Sequence, residues 1–265
     1  MYLSRKTKTY ERKQMRSAPH RLAVFGTLML SAACIATTGC SRIHGRPGPG
    51  PEVIRPDEVL DFPTLYKENC AACHGANGKN GAAISLANPV YLAVAGEQTI
   101  QQTVAKGVPG GLMPAFAKSS GGSLTDRQVS IIAQGLIQQW GTPDALAGAT
   151  APPYAATLSP NADHGQQAYT AACARCHGAD GEGTTGDSKT GTGKLGSIVN
   201  PSYLALISNQ DLRSITIAGR PDEGMPDWRS VTTQPLTDQQ ITDIVAWLAS
   251  KRVAEPGQPY HSYQP

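Results

Sequence analysis

The stretch Cys70-Ala71-Ala72-Cys73-His74-Gly75 occurs a second time later in the chain, as Cys173-Ala174-Arg175-Cys176-His177-Gly178. Two cysteines separated by two residues occur in zinc sites, in redox-active disulfides and in the attachment motif of c-type haem. A structural zinc site needs about four ligands, and neither copy offers a second cysteine pair. A thioredoxin-like disulfide belongs in a βαβ context, whereas the surrounding sequence has helical periodicity. The histidine directly after the second cysteine favours haem attachment.

The CxxCH spacing suits that chemistry. The two thiols add across the vinyl groups of the haem, and the histidine binds its iron. On one helical turn, cysteines at i and i+3 face one edge of the porphyrin, and the next residue directs its imidazole at the metal. We therefore predict two covalently bound haem c groups. The residues predicted to hold them are Cys70, Cys73, Cys173 and Cys176 as thioether partners, with His74 and His177 on the iron.

The similarity between the two halves extends well beyond these motifs. The segment from Asn88 to Ala93 matches the segment from Asn200 to Ala205, and later glycines, prolines and methionines match in the same order. A long run of matches in one register indicates a duplicated domain. The predicted divisions of the chain are a signal peptide at 1–39, a tethered stalk at 40–56, domain 1 at 57–141, an Ala/Pro-rich linker at 142–160, domain 2 at 161–252 and a tail at 253–265.

Each domain is predicted to be helical. Thr125 with Gln128, and Thr237 with Gln240, form capping boxes ahead of apolar residues at i, i+3, i+4 and i+7, so each domain should end in an amphipathic helix. We also expect a first helix that leads into each cysteine motif and a middle helix behind it. Their predicted positions are from about Phe62 and from Gly165 for the first helices, and 97–106 and 210–218 for the middle ones.

The N-terminus has the pattern of an export signal. Residues 1–21 are basic, and residues 22–39 then carry no charge. Gly39-Cys40 resembles the cleavage box of bacterial lipoproteins, in which Cys40 becomes the acylated N-terminus, although Thr37 stands where an aliphatic residue is usual. An uncleaved transmembrane helix and plain secretion remain alternatives, since the apolar run is near the minimum spanning length. Lipid or helix would tether the protein on the periplasmic side of a bacterial membrane.

Removal of the signal changes the charge of the protein. Residues 1–39 contain seven of the 23 basic residues and one of the 20 acidic residues, so the mature chain has 16 basic against 19 acidic residues. A mildly acidic protein lacks the basic surface that nucleic-acid binding requires, and we expect no nucleic-acid partner.

The chain resembles the class I cytochrome c family in its tandem di-haem form. The resemblance covers about residues 60–252 and rests on CxxCHG, a later Met-Pro loop and a terminal amphipathic helix, each present twice. It implies an all-α fold, with each domain a few helices wrapped around a covalent haem. It also implies histidine and methionine as axial ligands, which assigns Met113 and Met225 to the iron. By the same analogy, the carbonyls of Pro89 and Pro201 would accept a hydrogen bond from the ring N–H of the iron-bound histidines.

Two classes of function fit these observations. The first is a membrane-tethered electron carrier that takes electrons from a quinol-oxidising complex or a dehydrogenase and passes them to an oxidase or another cytochrome. The second is a di-haem redox enzyme of the peroxidase type; a cytochrome subunit of a dehydrogenase or oxidase complex is a related alternative. An enzyme needs an open coordination position or a cysteine ligand, whereas both domains carry a methionine and all six cysteines are otherwise placed. We therefore expect a carrier and not an enzyme.

Overall fold

A computed structural model of the chain describes Gly50 and residues 53–184 and 195–254. The predicted signal peptide, Cys40, most of the stalk and most of the tail lie outside these residues. Within them, nine α-helices and three 3₁₀ helices are joined by loops, and the only β-type pairing is in isolated bridges. The all-α fold predicted from the sequence is confirmed.

Of the described α-helices, four lie in domain 1 and five in domain 2. Domain 1 contains α1 (Phe62–Asn69), α2 (Ala71–His74), α3 (Pro89–Lys106) and α4 (Asp126–Trp140). Domain 2 contains α5 (Ala162–Ala172), α6 (Ala174–His177), α7 (Pro201–Leu206), α8 (Asn209–Ala218) and α9 (Asp238–Ser250). The 3₁₀ helices are Pro56–Glu58, Lys118–Ser120 and Pro221–Glu223.

The terminal helices begin where the capping boxes predict. The Thr125 hydroxyl accepts from the Gln128 amide at 3.2 Å, and the Gln128 side chain accepts from the Thr125 amide at 3.0 Å. Thr237 and Gln240 repeat this arrangement at the start of α9. Each box satisfies amides that have no partner inside the helix.

Two helix starts differ from the sequence-based expectation. The first helix of domain 2 begins at Ala162 and not at Gly165, because the Asn161 side chain caps it by accepting from two backbone amides. The middle helix of domain 1 begins at Pro89 and bends at Gly96, whose φ of 71° interrupts the helical conformation. In domain 2 the same stretch is split into α7 and α8. The predicted ranges 97–106 and 210–218 therefore cover only the second part of each middle region.

In each domain the first helix packs against the last, and a middle helix packs beside them. Where the first and last helices cross, a glycine on one helix faces an aromatic residue on the other. The glycine is on the last helix in domain 1 and on the first helix in domain 2. In domain 1, Phe62 on α1 lies against Gly135 on α4. In domain 2, Gly165 on α5 lies against Trp247 on α9. Both crossings bring the N-terminal helix close enough to carry the cysteine motif onto the core.

The two domains contact each other through α3 and α8, and the chain from Arg55 onward clusters as one unit. Among the helices that the structure describes, none combines the length and the apolar character needed to cross a bilayer.

Candidate haem sites

Each CxxCH motif forms one short helix with a sharp exit. The first cysteine ends the preceding helix, and its carbonyl accepts from the histidine amide at 3.0 Å in both domains. The glycine after the histidine then takes a positive φ, 81° at Gly75 and 80° at Gly178. A side chain on Gly75 would meet the carbonyl of Lys79 at 1.9 Å, so the chain can reverse there only with glycine.

A tyrosine holds this exit in both domains. The Tyr66 hydroxyl donates to the carbonyl of Gly75, and the Tyr169 hydroxyl donates to the carbonyl of Gly178, each at 2.7 Å. Both tyrosines are buried, and burial raises the pKa of each to about 12. The neutral phenol therefore keeps its proton at physiological pH and fixes the turn that follows the histidine.

The four motif cysteines are free thiols in an environment unlike that of a redox disulfide. Cys70 is buried and Cys173 is half-buried, whereas Cys73 and Cys176 are exposed. Burial, with a smaller contribution from the neighbouring thiol, raises the pKa of Cys70 and of Cys173 to about 11. The cysteines of a thioredoxin-like CxxC have lowered pKa values, which make them reactive. The shift is in the opposite direction here, and this disfavours the disulfide alternative.

The histidine of the first motif has the burial and the hydrogen bonding that a metal ligand requires. His74 is buried, and its Nδ1 lies 2.8 Å from the carbonyl oxygen of Ile84. Because a carbonyl only accepts, Nδ1 must carry the ring proton, and Nε2 is left with a free lone pair. Burial also lowers the pKa of His74, so the imidazole is neutral, as a metal ligand must be. The expectation that the carbonyl of Pro89 is the acceptor was wrong, because Nδ1 is bonded to the carbonyl of Ile84, in the loop ahead of α3.

The second histidine differs in its hydrogen bonding. His177 is half-buried, and within the described part of the chain its buried Nδ1 has no hydrogen-bond partner. The expected bond to the carbonyl of Pro201 is therefore not formed. Burial lowers the pKa of His177 as it does that of His74. Both sites thus have a neutral imidazole. Among the described contacts, a hydrogen bond fixes which ring nitrogen carries the proton at His74 and not at His177.

The two methionines lie in matching loops that fold back over a glycine. Gly107 and Gly219 end the preceding helices with φ of 72° and 67°, and a side chain on either would meet the backbone of its Met-Pro loop within 2.8 Å. Met225 exchanges two backbone hydrogen bonds with Arg220, both 3.0 Å, whereas Met113 accepts one from Val108 at 3.1 Å. Both methionine side chains are half-buried. Their coordination of iron remains a prediction.

The residues present fit covalent haem. Each site offers two unpaired thiols on one turn and a neutral imidazole beside them, and in domain 1 the nitrogen that would face the metal is free. In the described residues, no cluster of three or more His, Cys, Asp and Glu side chains has the geometry of a metal site. A cleft of about 1020 Å³ lies elsewhere, between α3 and α8, and none of the predicted haem-binding residues lines it.

The site also depends on groups that sequence reasoning did not assign. The carbonyl of Ile84 carries no signal in the residue type, because any residue could supply it. The tyrosines ahead of each motif were visible as repeated residues, but their partners are backbone atoms on the far side of the motif.

Two family models match the two halves of the chain. A family model described as cytochrome c matches residues 162–251, and a model described as cytochrome c oxidase, cbb3-type, subunit III matches residues 57–134. No curated protein matches the chain significantly in sequence. A solved structure that it resembles belongs to the reducing HAO-like protein complex of Kuenenia stuttgartiensis, with 18% identity over 72% of this chain and 96% of that chain and a TM-score of 0.41.

Proposed function

The chain belongs to the class I cytochrome c family, with two cytochrome c domains in tandem, and from this premise we propose that it is a membrane-tethered di-haem electron carrier. Cytochrome c domains function in electron transfer. The proposal adds two haems, an attachment to the membrane, and redox proteins outside the cytoplasmic membrane as partners. The donor would be a quinol-oxidising complex or a dehydrogenase, and the acceptor an oxidase or another cytochrome.

Each residue of the two sites has a defined task in this proposal. Covalent haem c supplies an iron that alternates between Fe(II) and Fe(III), one electron at a time. The cysteine pairs would hold the haem through thioether bonds. His74 and His177 would bind the iron through Nε2, and Met113 and Met225 would bind it through sulfur. The Ile84 carbonyl holds the proton of His74 on Nδ1 and so orients that ring.

The observation that supports the proposal best is the hydrogen bond between His74 and Ile84. It leaves the imidazole neutral, buried and with Nε2 free, which is the state in which histidine binds a metal. The two free cysteines on the same turn distinguish this histidine from one that only packs the core.

Two methionines in equivalent loops favour a carrier over a peroxidase-type enzyme. A thioether sulfur on each iron leaves no open position for peroxide, and it favours Fe(II), which raises the reduction potential. A cytochrome subunit of a larger oxidoreductase would use the same two sites, with the partner bound permanently.

The test is a comparison of the wild-type holoprotein with Met113→Ala and Met225→Ala. Wild-type protein should retain two haems after acid–acetone extraction, and carbon monoxide should barely change its reduced spectrum. Each variant should open one haem to carbon monoxide and lower the potential of that haem alone, because sulfur no longer stabilises Fe(II). Rapid stoichiometric binding of carbon monoxide or peroxide by one wild-type haem would contradict the carrier and favour the enzyme.

The tether depends on Cys40. If the lipoprotein reading is correct, wild-type protein expressed in a bacterial host takes up a fatty-acid label and Cys40→Ser does not. A wild-type protein that takes up no label and retains residues 1–39 would be anchored by a helix. Wild-type protein released without label or signal would not be tethered at all.

A further inference from the structure

Asn88 forms hydrogen bonds in both domains at once. Its Oδ1 caps α3 by accepting from the amides of Val90 and Tyr91, at 3.0 and 3.3 Å. Its Nδ2 donates to the carbonyls of Ala218 and Gly219 in domain 2, at 2.9 and 3.3 Å. The residue is only 1% exposed. One side-chain amide thus closes the start of a helix in domain 1 and the end of a helix in domain 2.

This arrangement suits the two helix ends. The first amides and the last carbonyls of a helix have no partner within it. The start of α3 carries a positive partial charge and the end of α8 a negative one, so their approach is favourable. A side-chain amide offers an acceptor and a donor together, and asparagine is short enough to do both from the cap position.

The contact reaches both predicted haem sites. Gly219 follows α8 and packs against the Met225 carbonyl, which a side chain at this position would approach to 2.6 Å. Beside it, Arg220 donates to the Gly81 carbonyl at 3.4 Å, and Asp222 accepts from the Asn80 amide at 3.2 Å. The loop that carries Met225 is therefore held against the loop that follows the CxxCH motif of domain 1.

Gly81 continues this contact to the first motif. A side chain on Gly81 would lie 2.2 Å from the Cys73 carbonyl and 2.6 Å from the carbonyl carbon of His74. The backbone of Arg220, in turn, pairs with Met225 through two hydrogen bonds. Packed backbone and hydrogen bonds thus connect His74 of domain 1 to Met225 of domain 2.

The equivalent residue of domain 2 has no such role. Asn200 caps α7 by accepting from the amides of Ser202 and Tyr203, at 2.9 and 3.3 Å. It is exposed, and these bonds stay within its own domain. The duplication has kept the cap in both copies, and only Asn88 also joins the domains.

We propose that Asn88 is a positioning residue that locks the two domains in the arrangement through which an electron passes between their haems. The inference rests on the proposed function. The transfer oxidises one iron from Fe(II) to Fe(III) and reduces the other from Fe(III) to Fe(II), so it needs no further reactant. Its rate falls steeply with distance, and a lock beside the Met225 loop and the first CxxCH motif is placed to set that distance.

The test uses the holoprotein with Asn88→Asp and Asn88→Ser, and with Asn200→Asp and Asn200→Ser as matched controls. Aspartate and serine both keep the helix cap. Aspartate has no donor, and the serine hydroxyl ends one bond short of Nδ2, the atom that donates to the carbonyls of Ala218 and Gly219. After pulse-radiolytic reduction of a fraction of the haems, redistribution of the electrons should be measurably slower in the Asn88 variants, because the rate of electron transfer falls steeply as the haems move apart. The Asn200 controls should match the wild type.

A second measurement separates the lock from its consequence. Hydrogen–deuterium exchange at residues 209–223 should be faster in both Asn88 variants and unchanged in the controls. Unchanged exchange would overturn the lock, and faster exchange with a wild-type redistribution rate would overturn its role in electron transfer. Failure of the proposed function would show differently, as a wild-type protein without two covalent haems, and the exchange experiment would still decide whether the lock exists.

Discussion

At the scale of single residues, both domains use a buried tyrosine to hold the turn behind the CxxCH motif. Tyr66 and Tyr169 are 4% and 0% exposed, and each donates to the glycine carbonyl that follows its histidine. A buried hydroxyl that loses its acceptor, or a buried acceptor that loses its donor, costs about 1–3 kcal/mol. The turn thus depends on one bond per domain, and that bond can be removed without changing the shape of the ring.

We expect Tyr66→Phe and Tyr169→Phe each to lower the free energy of unfolding by about 1 kcal/mol near pH 8. The loss should shrink between about pH 10 and pH 12. Burial raises the tyrosine pKa from 10.0 to about 12, so in this range the unfolded state has released the proton and the folded state retains it. Wild-type stability then falls as pH rises, and phenylalanine cannot contribute to that fall. Urea unfolding at several pH values measures the difference, and a gap that widens above pH 10 would contradict this explanation.

At the scale of helices, each domain packs its first helix against its last with one aromatic residue facing one glycine, and the two domains have these residues in exchanged order. Phe62 corresponds to Gly165, and Gly135 corresponds to Trp247, as the duplicated sequence aligns them. A methyl group on Gly135 would lie 2.1 Å from the Phe62 ring, and one on Gly165 would lie 2.0 Å from the Asp243 carbonyl oxygen. The first obstacle is a half-buried side chain that can rotate, and the second is helix backbone.

Gly165→Ala should therefore destabilise the protein more than Gly135→Ala. Overpacking costs about 1–3 kcal/mol, against a gain of about 1 kcal/mol from the better helix propensity of alanine. We expect a clear net loss for Gly165→Ala and a smaller loss for Gly135→Ala, measured by urea unfolding of the holoprotein. Gln134→Ala, at the exposed neighbouring position of α4, is the control and should change little. A stabilised Gly165→Ala variant would show that the helices separate easily.

Sequence reasoning was most successful where the signal is local. The capping boxes at Thr125 and Thr237 fixed the starts of the terminal helices, and the duplicated motifs indicated two equivalent domains. It failed where local signals were overlooked, as at Asn88-Pro89, a cap followed by the proline that favours a first helical position. It could not find the carbonyl of Ile84 as the partner of His74, because a backbone acceptor leaves no trace in residue type. Contacts between distant segments, such as Asn88 with Gly219, lie equally beyond a single sequence.

At the scale of the whole molecule, the Ala/Pro-rich segment at 142–160 connects the two domains and is also bound to domain 2 by hydrogen bonds. Arg213, with 2% of its side chain exposed, donates to the carbonyl of Pro153 at 2.8 and 3.1 Å and to that of Tyr154 at 3.1 Å. Gln210 adds a bond to the Tyr154 carbonyl at 2.9 Å. Burial raises the pKa of the Tyr154 phenol, near the hydroxyl of Thr103 in domain 1. Together with Asn88, this segment limits how far the domains can move apart.

The guanidinium of Arg213 is suited to this task because its donors lie in one plane and reach several acceptors at once. It also binds the carboxylate of Asp238 and, at 3.0 Å, the hydroxyl of Thr242. Lysine would keep the charge near Asp238 but cannot reach both linker carbonyls. Arg213→Lys should therefore lower the free energy of unfolding by about 1–3 kcal/mol and release the segment from domain 2.

Limited proteolysis of the holoprotein, with the cleavage sites read by mass spectrometry, distinguishes release of the segment from a general loss of stability. Cleavage within 142–160 should be markedly faster in Arg213→Lys, with both domains left intact as haem-containing fragments. Thr242→Val is the control, because it removes one bond of the same guanidinium and leaves those to Pro153 and Tyr154 in place. It should lose stability without faster cleavage of the linker. Equal linker cleavage in the two variants at equal stability would mean that Arg213 supports domain 2 alone.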